Sequence, residues 1–126
     1  MHTDNRPLSP HLQIYKLGWT GIPSIMNRIT GAAITVGSLL VVYWLIALAS
    51  GPEAYATAQG FFGNILVKIA LFGFTWALIY HTLAGIRHLF WDFGVGIHVP
   101  SVVKLAKVTI VGSVILTVLV WILAYA

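Results

Sequence analysis

Three long apolar runs without charged residues dominate the pattern of hydrophobic and polar positions. They cover residues 29–49, 69–86 and 108–126. A helix needs about 20 apolar residues to cross the hydrocarbon core of a membrane, and each run is close to that length. With helical extensions at their ends, the runs predict three transmembrane helices at about 24–49, 64–90 and 104–126.

The segment at about 6–23 differs from both the runs and an ordinary linker. Pro7, Pro10 and Pro23 interrupt it, yet apolar residues recur between them. We therefore expect an interfacial segment packed along the membrane surface, with Pro23 in the first turn of the first helix. The connections at 50–53 and 92–100 are rich in turn-forming residues. Nothing divides the chain, so an all-α, single-domain membrane protein spanning 1–126 is predicted.

Composition narrows the class further. Of 126 residues, 8% are charged and 59% hydrophobic, whereas soluble domains average about 25% and 45–50%. These values exclude a soluble enzyme and a disordered chain, and the scattered basic residues exclude a nucleic-acid binder. Cysteine is absent, so this chain ligates no iron–sulfur cluster through thiolates.

The distribution of basic residues predicts an orientation. Six of the seven flank the amino-terminal side of the first span or lie around the second connection, and Lys68 alone lies in the first connection. The six are Arg6, Lys16, Arg28, Arg87, Lys104 and Lys107. Short cytoplasmic loops retain Lys and Arg, so we expect the amino terminus in the cytoplasm. The first residues carry no leader-like pattern, which favours a bacterial inner membrane over a mitochondrial one.

The first span carries a stripe of polar and small residues. On a helix, its members fall within roughly 40° of one line: Ser24, Arg28, Gly31, Thr35 and Ser38. Such a stripe is typical of a helix-packing face. Arg28 lies at the membrane edge, where a topology signal and a functional cation both remain open.

The second span carries a stripe that includes ionisable side chains and therefore points more strongly to a functional site. His81, Gly85, His88 and Asp92 fall within roughly 40° of one line. A histidine inside an apolar span indicates a functional site, although a hydrogen bond to a neighbouring helix is the alternative. Gly85 leaves room for a flat ligand such as a porphyrin. His81 and His88 lie roughly 10.5 Å apart along the axis, so one iron between them is excluded and a second subunit is expected to provide the other ligand.

Three motifs together resemble a known family. They are RPLSPH at 6–11, SIMNRITG at 24–31 and HTLAGIRHLFWD at 81–92, and they resemble the cytochrome b membrane-anchor subunit of succinate dehydrogenase, or complex II. The resemblance implies a helix bundle formed with a second anchor subunit. Together the two anchors dock a flavoprotein and an iron–sulfur subunit. Electrons from succinate then reach ubiquinone, one haem b lies between the anchors, and this chain does not itself oxidise succinate.

The resemblance also implies individual roles. His81 matches the axial ligand of the haem iron, with Gly85 beside it, while His88 and Arg28 match groups near the haem propionates. Ser24, Ile25 and Arg28 match the quinone pocket, and no catalytic residue is assigned. The family often has histidine at the position of Asn27; asparagine cannot carry a proton there.

The sequence also allows other functions. A haem-free structural or assembly subunit is one alternative, in which the polar stripes only pack helices. A fumarate reductase anchor is a near relative, and the sequence does not decide the direction of electron flow. A transporter is disfavoured because polar residues concentrate at one end of each span.

Overall fold

The computed structural model describes residues 16–126, which fold into four helices without any strand in that part of the chain. They are α1 (Ile22–Ala49), α2 (Pro52–Gly63), α3 (Ile65–Asp92) and α4 (Val99–Tyr125). Three of them, α1, α3 and α4, are long and apolar enough to cross a membrane. At 28 residues, α1 is roughly 42 Å long, which exceeds the hydrocarbon core of about 30 Å. The predicted all-α architecture with three spans is confirmed.

Helix α3 lies between α1 and α4 and packs against both. Small residues allow the close approach, as is usual between membrane helices. A methyl group at Gly37 of α1 would overlap the Phe74 ring of α3. On α3 itself, Ala77 and Ala84 are buried. Glycine at 37 is therefore a packing requirement.

Side-chain hydrogen bonds join α3 to α4. The Trp76 indole donates to the Ser113 hydroxyl at 3.1 Å, and the Trp121 indole donates to the Thr75 hydroxyl at 3.2 Å. The Ser113 hydroxyl in turn donates to a carbonyl of its own helix at 2.8 Å. Each of these polar groups thus has a partner within the bundle, which a lipid-facing position could not provide.

A short helix occupies the first connection, for which the sequence predicted only a turn at 50–53. Gly51 reverses the chain at φ 109°, and Pro52 opens α2. Aromatic side chains hold α2 against the end of α1. The Tyr43 and Phe61 rings lie 5.9 Å apart, and Trp44 and Tyr55 lie 6.4 Å apart.

The second connection is shorter than predicted. Helix α4 begins at Val99, five residues before the expected start, because Pro100 suits a first helical turn, where its missing N–H costs nothing. Gly94 and Gly96 turn the chain with φ values of 74° and 75°.

Only part of the predicted interfacial segment can be compared with the structure. Residues 6–15, including the RPLSPH motif, lie outside the described residues. Residues 16–20 are exposed ahead of α1, and Lys107 of α4 lies 5.1 Å from the centre of the Trp19 ring. Pro23 occupies the first turn of α1, as predicted.

Candidate functional site

The two polar stripes meet where His81 of α3 contacts α1. A Cβ atom added to Gly31 would lie 3.1 Å from Cε1 of the His81 ring. This distance is shorter than ordinary contact, so the ring lies directly over the glycine. The structure therefore joins the stripe of the first span to that of the second at this one point.

The hydrogen bonding of His81 fixes which ring nitrogen is free. Nδ1 lies 3.1 Å from the backbone oxygen of Asn27 and 3.4 Å from the hydroxyl of Thr30. That hydroxyl already donates to the carbonyls of Met26 and Asn27, at 2.8 and 3.1 Å. A carbonyl can only accept, so the bonding assigns the hydrogen to Nδ1 and leaves the lone pair on Nε2.

The space beside His81 is open on the side of Gly85. A Cβ atom at Gly85 would meet nothing within 4 Å, although this glycine lies only one turn from the imidazole. Further along the same line, His88 and Asp92 are exposed. The His88 ring packs edge-on against Trp91, with centroids 4.9 Å apart. The described part of the chain therefore leaves the outward side of this stripe uncovered.

The residues that were matched by sequence resemblance to a quinone pocket lie at the start of α1. Ser24, Ile25 and Arg28 are all exposed. Arg28 precedes by three residues the glycine that contacts His81, so the two groups of candidate residues are neighbours on one face. The structure places Ser24 and Arg28 one helical turn apart on an exposed part of α1.

The described residues hold no cluster of three or more histidine, cysteine, aspartate or glutamate side chains suited to a metal ion. Within residues 16–126, His81 therefore has no set of companion side chains that could hold a free metal ion with it. Such a residue suits a metal that arrives with most of its ligands, as an iron porphyrin does.

Arg87 behaves differently from the flanking charge that the sequence suggested. Its side chain is only 5% exposed, and its guanidinium lies 4.8 Å from the centre of the Trp91 ring. It shares a buried face with Tyr80 and Ala84, roughly 120° around the helix from His81. The sequence does place residues 80, 84, 87 and 91 on one helix face, which could have indicated that Arg87 is buried. An arginine near the end of a span is, however, usually interpreted as a topology signal.

The chain is similar to known membrane subunits over most of its length. The family model described as "Succinate dehydrogenase/Fumarate reductase transmembrane subunit" matches residues 2–120. The chain is 49% identical over 115 residues to the succinate dehydrogenase cytochrome b556 subunit of Paracoccus denitrificans, covering 91% of this chain and 88% of that protein. It is 39% identical over 119 residues to the protein of that name from Rickettsia conorii, covering 94% and 93%.

A mitochondrial protein is also similar. The human succinate dehydrogenase cytochrome b560 subunit is 36% identical over 113 residues, covering 88% of this chain and 67% of the human protein. The similarity thus extends over all three spans and reaches both bacterial and mitochondrial proteins.

Proposed function

Because this chain belongs to the family of succinate dehydrogenase/fumarate reductase transmembrane subunits, we propose that it holds one haem b together with a second membrane-anchor subunit and helps to form the site of ubiquinone reduction. The chain is a membrane subunit of an oxidoreductase complex and does not itself oxidise succinate.

One observation carries the haem proposal: the Nδ1 atom of His81 bonds to a backbone carbonyl, while Nε2 has no partner among residues 16–126. Histidines that bind metals usually donate their other ring N–H to a carbonyl or carboxylate, which fixes the tautomer and the orientation of the ring. The Asn27 carbonyl provides this partner at 3.1 Å. The open space at Gly85 fits the edge of a flat macrocycle beside the imidazole.

The second axial ligand is expected from the partner anchor. His88 lies two turns from His81 on the same helix, and His98 lies in the α3–α4 connection, so neither can face His81 across one iron. When bound, haem supplies a one-electron redox centre whose potential depends on its axial ligands and surroundings. Arg28 and His88 lie towards the same end of the bundle as the α3–α4 connection and can hold anionic propionates there.

The quinone proposal rests on the chemistry of Ser24 and Arg28, one helical turn apart. A hydroxyl and a guanidinium are both hydrogen-bond donors to a quinone carbonyl, and the cation stabilises negative charge that develops during reduction. Ile25 offers an apolar contact beside them. Neither donor releases a proton readily, so the protons come from another subunit or from water.

We further propose that the bundle end carrying Arg28 and the α3–α4 connection faces the cytoplasm of a bacterial cell. The flavoprotein and iron–sulfur subunits would then dock on that side, close to the quinone pocket. Six of the seven basic residues flank this side of the predicted spans, which supports this orientation. The family description includes fumarate reductase, so assays of both succinate oxidation and fumarate reduction decide the physiological direction.

The haem proposal is tested by the reduced-minus-oxidised spectrum of the purified complex. We expect His81→Ala to remove the low-spin haem bands while all subunits still co-purify. His98→Ala is the matched control because that histidine is exposed outside the helices, and its haem content should equal that of the wild type. An unchanged haem content in His81→Ala would show that this residue is not the ligand.

The same experiment addresses the alternative of a haem-free structural subunit. The bond between His81 and the Asn27 carbonyl also joins α3 to α1, as a purely structural histidine would. If the chain is a haem-free structural subunit, the wild-type complex contains no haem, and His81→Ala only lowers the thermal stability of the complex.

A further inference from the structure

Arg87 carries a buried charge that lies over the Trp91 ring but meets no carboxylate among residues 16–126. Its side chain is only 5% exposed, and its Nε and Nη1 atoms have no hydrogen-bond acceptor in the part of the chain that the structure describes. A guanidinium does not lose its proton in a protein, and an unpaired buried charge is strongly unfavourable. The site therefore requires an acceptor from elsewhere.

The two acidic residues in the described part of the chain, Glu53 and Asp92, do not supply it. Glu53 belongs to α2, at the opposite end of the bundle. Asp92 is exposed and lies roughly 140° around α3 from Arg87, while Asp4 is outside the described residues. The ring beneath the guanidinium adds a second unsatisfied donor, because the Trp91 indole nitrogen is also buried without a partner. Two neighbouring groups that only donate hydrogen bonds favour a ligand with negatively charged oxygens.

An apolar groove of about 430 Å³ runs between α3 and α4, and Arg87 lines its wall near the α3–α4 connection. Its walls include Leu83, Phe90, Leu105 and Leu116. From Leu105 to Leu116 the groove follows α4 for roughly 16 Å, about half the thickness of the hydrocarbon core. A groove of that depth, with a cation at the membrane surface end, matches one leaflet of the bilayer.

We propose that this groove binds one acyl chain of an anionic phospholipid whose phosphate oxygens accept hydrogen bonds from Arg87. The phosphodiester supplies the charge that the guanidinium lacks, and the acyl chain covers the apolar walls. Guanidinium and phosphate match in geometry as well as in charge. The site lies on the α4 side of α3, away from His81, and does not depend on haem or quinone binding.

Gly112 gives the groove its depth at the α4 wall. A Cβ atom there would contact only Leu83, at 3.9 Å, so a large side chain at 112 extends into the groove rather than into the bundle. This provides a variant that blocks the acyl chain without touching Arg87.

The test is a lipid titration of the detergent-purified complex, followed by native mass spectrometry, with dioleoylphosphatidylglycerol and dioleoylphosphatidylcholine as probes. The two lipids share acyl chains and differ in net charge. We expect the wild type to bind one phosphatidylglycerol roughly tenfold more tightly than phosphatidylcholine, as for a hydrogen bond to a charged group. Arg87→Gln should abolish this preference, Arg87→Lys should keep most of it, and Gly112→Phe should weaken the binding of both lipids.

Lys104→Gln is the matched control, because Lys104 is an exposed basic residue at the same end of α4. It should leave the preference unchanged. The masses also report subunit composition, so a failure to assemble is seen directly. Equal binding of both lipids by the wild type would mean adventitious lipid only and overturn the proposal. A preference that survives in Arg87→Gln overturns it too, and so does loss of a neighbouring subunit in that variant, which would indicate that Arg87 contacts protein rather than lipid.

Discussion

The Tyr80 hydroxyl of α3 donates a 3.1 Å hydrogen bond to the backbone carbonyl of Pro23 in the first turn of α1. Tyr80 is fully buried and immediately precedes His81. The bond therefore fixes the register between the two helices one residue before the candidate haem ligand. Because Asn27 follows Pro23 by one turn, the same register places the Asn27 carbonyl opposite His81.

Removing this bond tests its contribution. Interhelical hydrogen bonds in membrane proteins contribute about 0.6 kcal/mol on average and rarely more than about 1.7. We expect Tyr80→Phe to lower the thermal unfolding midpoint of the complex slightly while it remains assembled. Tyr43→Phe is the control because Tyr43 is exposed. A variant as stable as the wild type would show that packing alone sets the register.

Thr30 is expected to influence the midpoint potential of the haem through its contact with His81. Its hydroxyl and Nδ1 of His81 both lie within hydrogen-bond distance of the Asn27 carbonyl. Thr30→Val removes the competing donor, so the carbonyl becomes a better acceptor for the imidazole and the ligand donates more electron density to iron. We expect a lower midpoint potential by a few tens of millivolts, where about 59 mV equals a factor of ten for one electron.

A potentiometric titration of the haem absorption bands measures this shift. Thr35→Val is the matched control, since the Thr35 hydroxyl is exposed and bonds only to Gly31 of its own helix. Equal midpoint potentials in the wild type, Thr30→Val and Thr35→Val would show that Thr30 does not influence the haem through His81. Loss of haem in Thr30→Val alone would instead assign it a role in holding His81.

The open space at Gly85 predicts a specific assembly defect. Gly85→Leu meets no neighbouring atom in the described part of the chain within reach of its Cβ, so the helices should still pack. The larger side chain fills the space that the macrocycle edge requires, and haem per complex should fall severalfold. Gly73→Leu is the control on the same helix, because its Cβ also meets nothing within 4 Å. Haem content should be measured by pyridine haemochrome; equal contents in both variants would argue against a haem at Gly85.

Arg28 and Ser24 should affect quinone reduction without affecting succinate oxidation. A lost hydrogen bond to a charged group costs about 1.5–3 kcal/mol, which corresponds to a rate loss of roughly ten- to a hundredfold for Arg28→Leu. Ser24→Ala should have a smaller effect. Succinate oxidation by a soluble artificial acceptor bypasses the membrane site and should continue. Lys104→Leu removes a charge at the same end of the bundle and should leave both rates intact.

The two assays separate the possible failures. Equal loss of both activities in Arg28→Leu would indicate defective assembly. Full retention of quinone reduction would exclude both residues from the pocket.

Orientation is tested with a reporter that is active only outside the cytoplasm. Fusion at Ala126 should give a signal, and fusion after Asp92 should give none, because the basic residues predict that the α3–α4 connection is cytoplasmic. The opposite pattern would reverse the proposed orientation and place the Arg28 end outside.

The sequence by itself determined the class, the three spans and the pairing of His81 with Gly85 on one face. These properties are local: apolar length decides whether a helix spans a membrane, and helical periodicity decides which residues share a face. The starts of helices were less certain because they depend on single residues, as Pro100 shows for α4. The short helix α2 was missed because its aromatic side chains are held mainly by contacts with α1.

Only the tertiary structure decided the environments of the polar groups. His81 needed a hydrogen-bond partner, but the Asn27 carbonyl became that partner through the packing of α1 on α3. Arg87 looked like a flanking charge, yet it lies buried in the wall of the groove that the packing of α4 on α3 forms. In both cases the deciding contact joins residues far apart in sequence, and the relative rotation of packed helices, which no local pattern encodes, determines whether it forms.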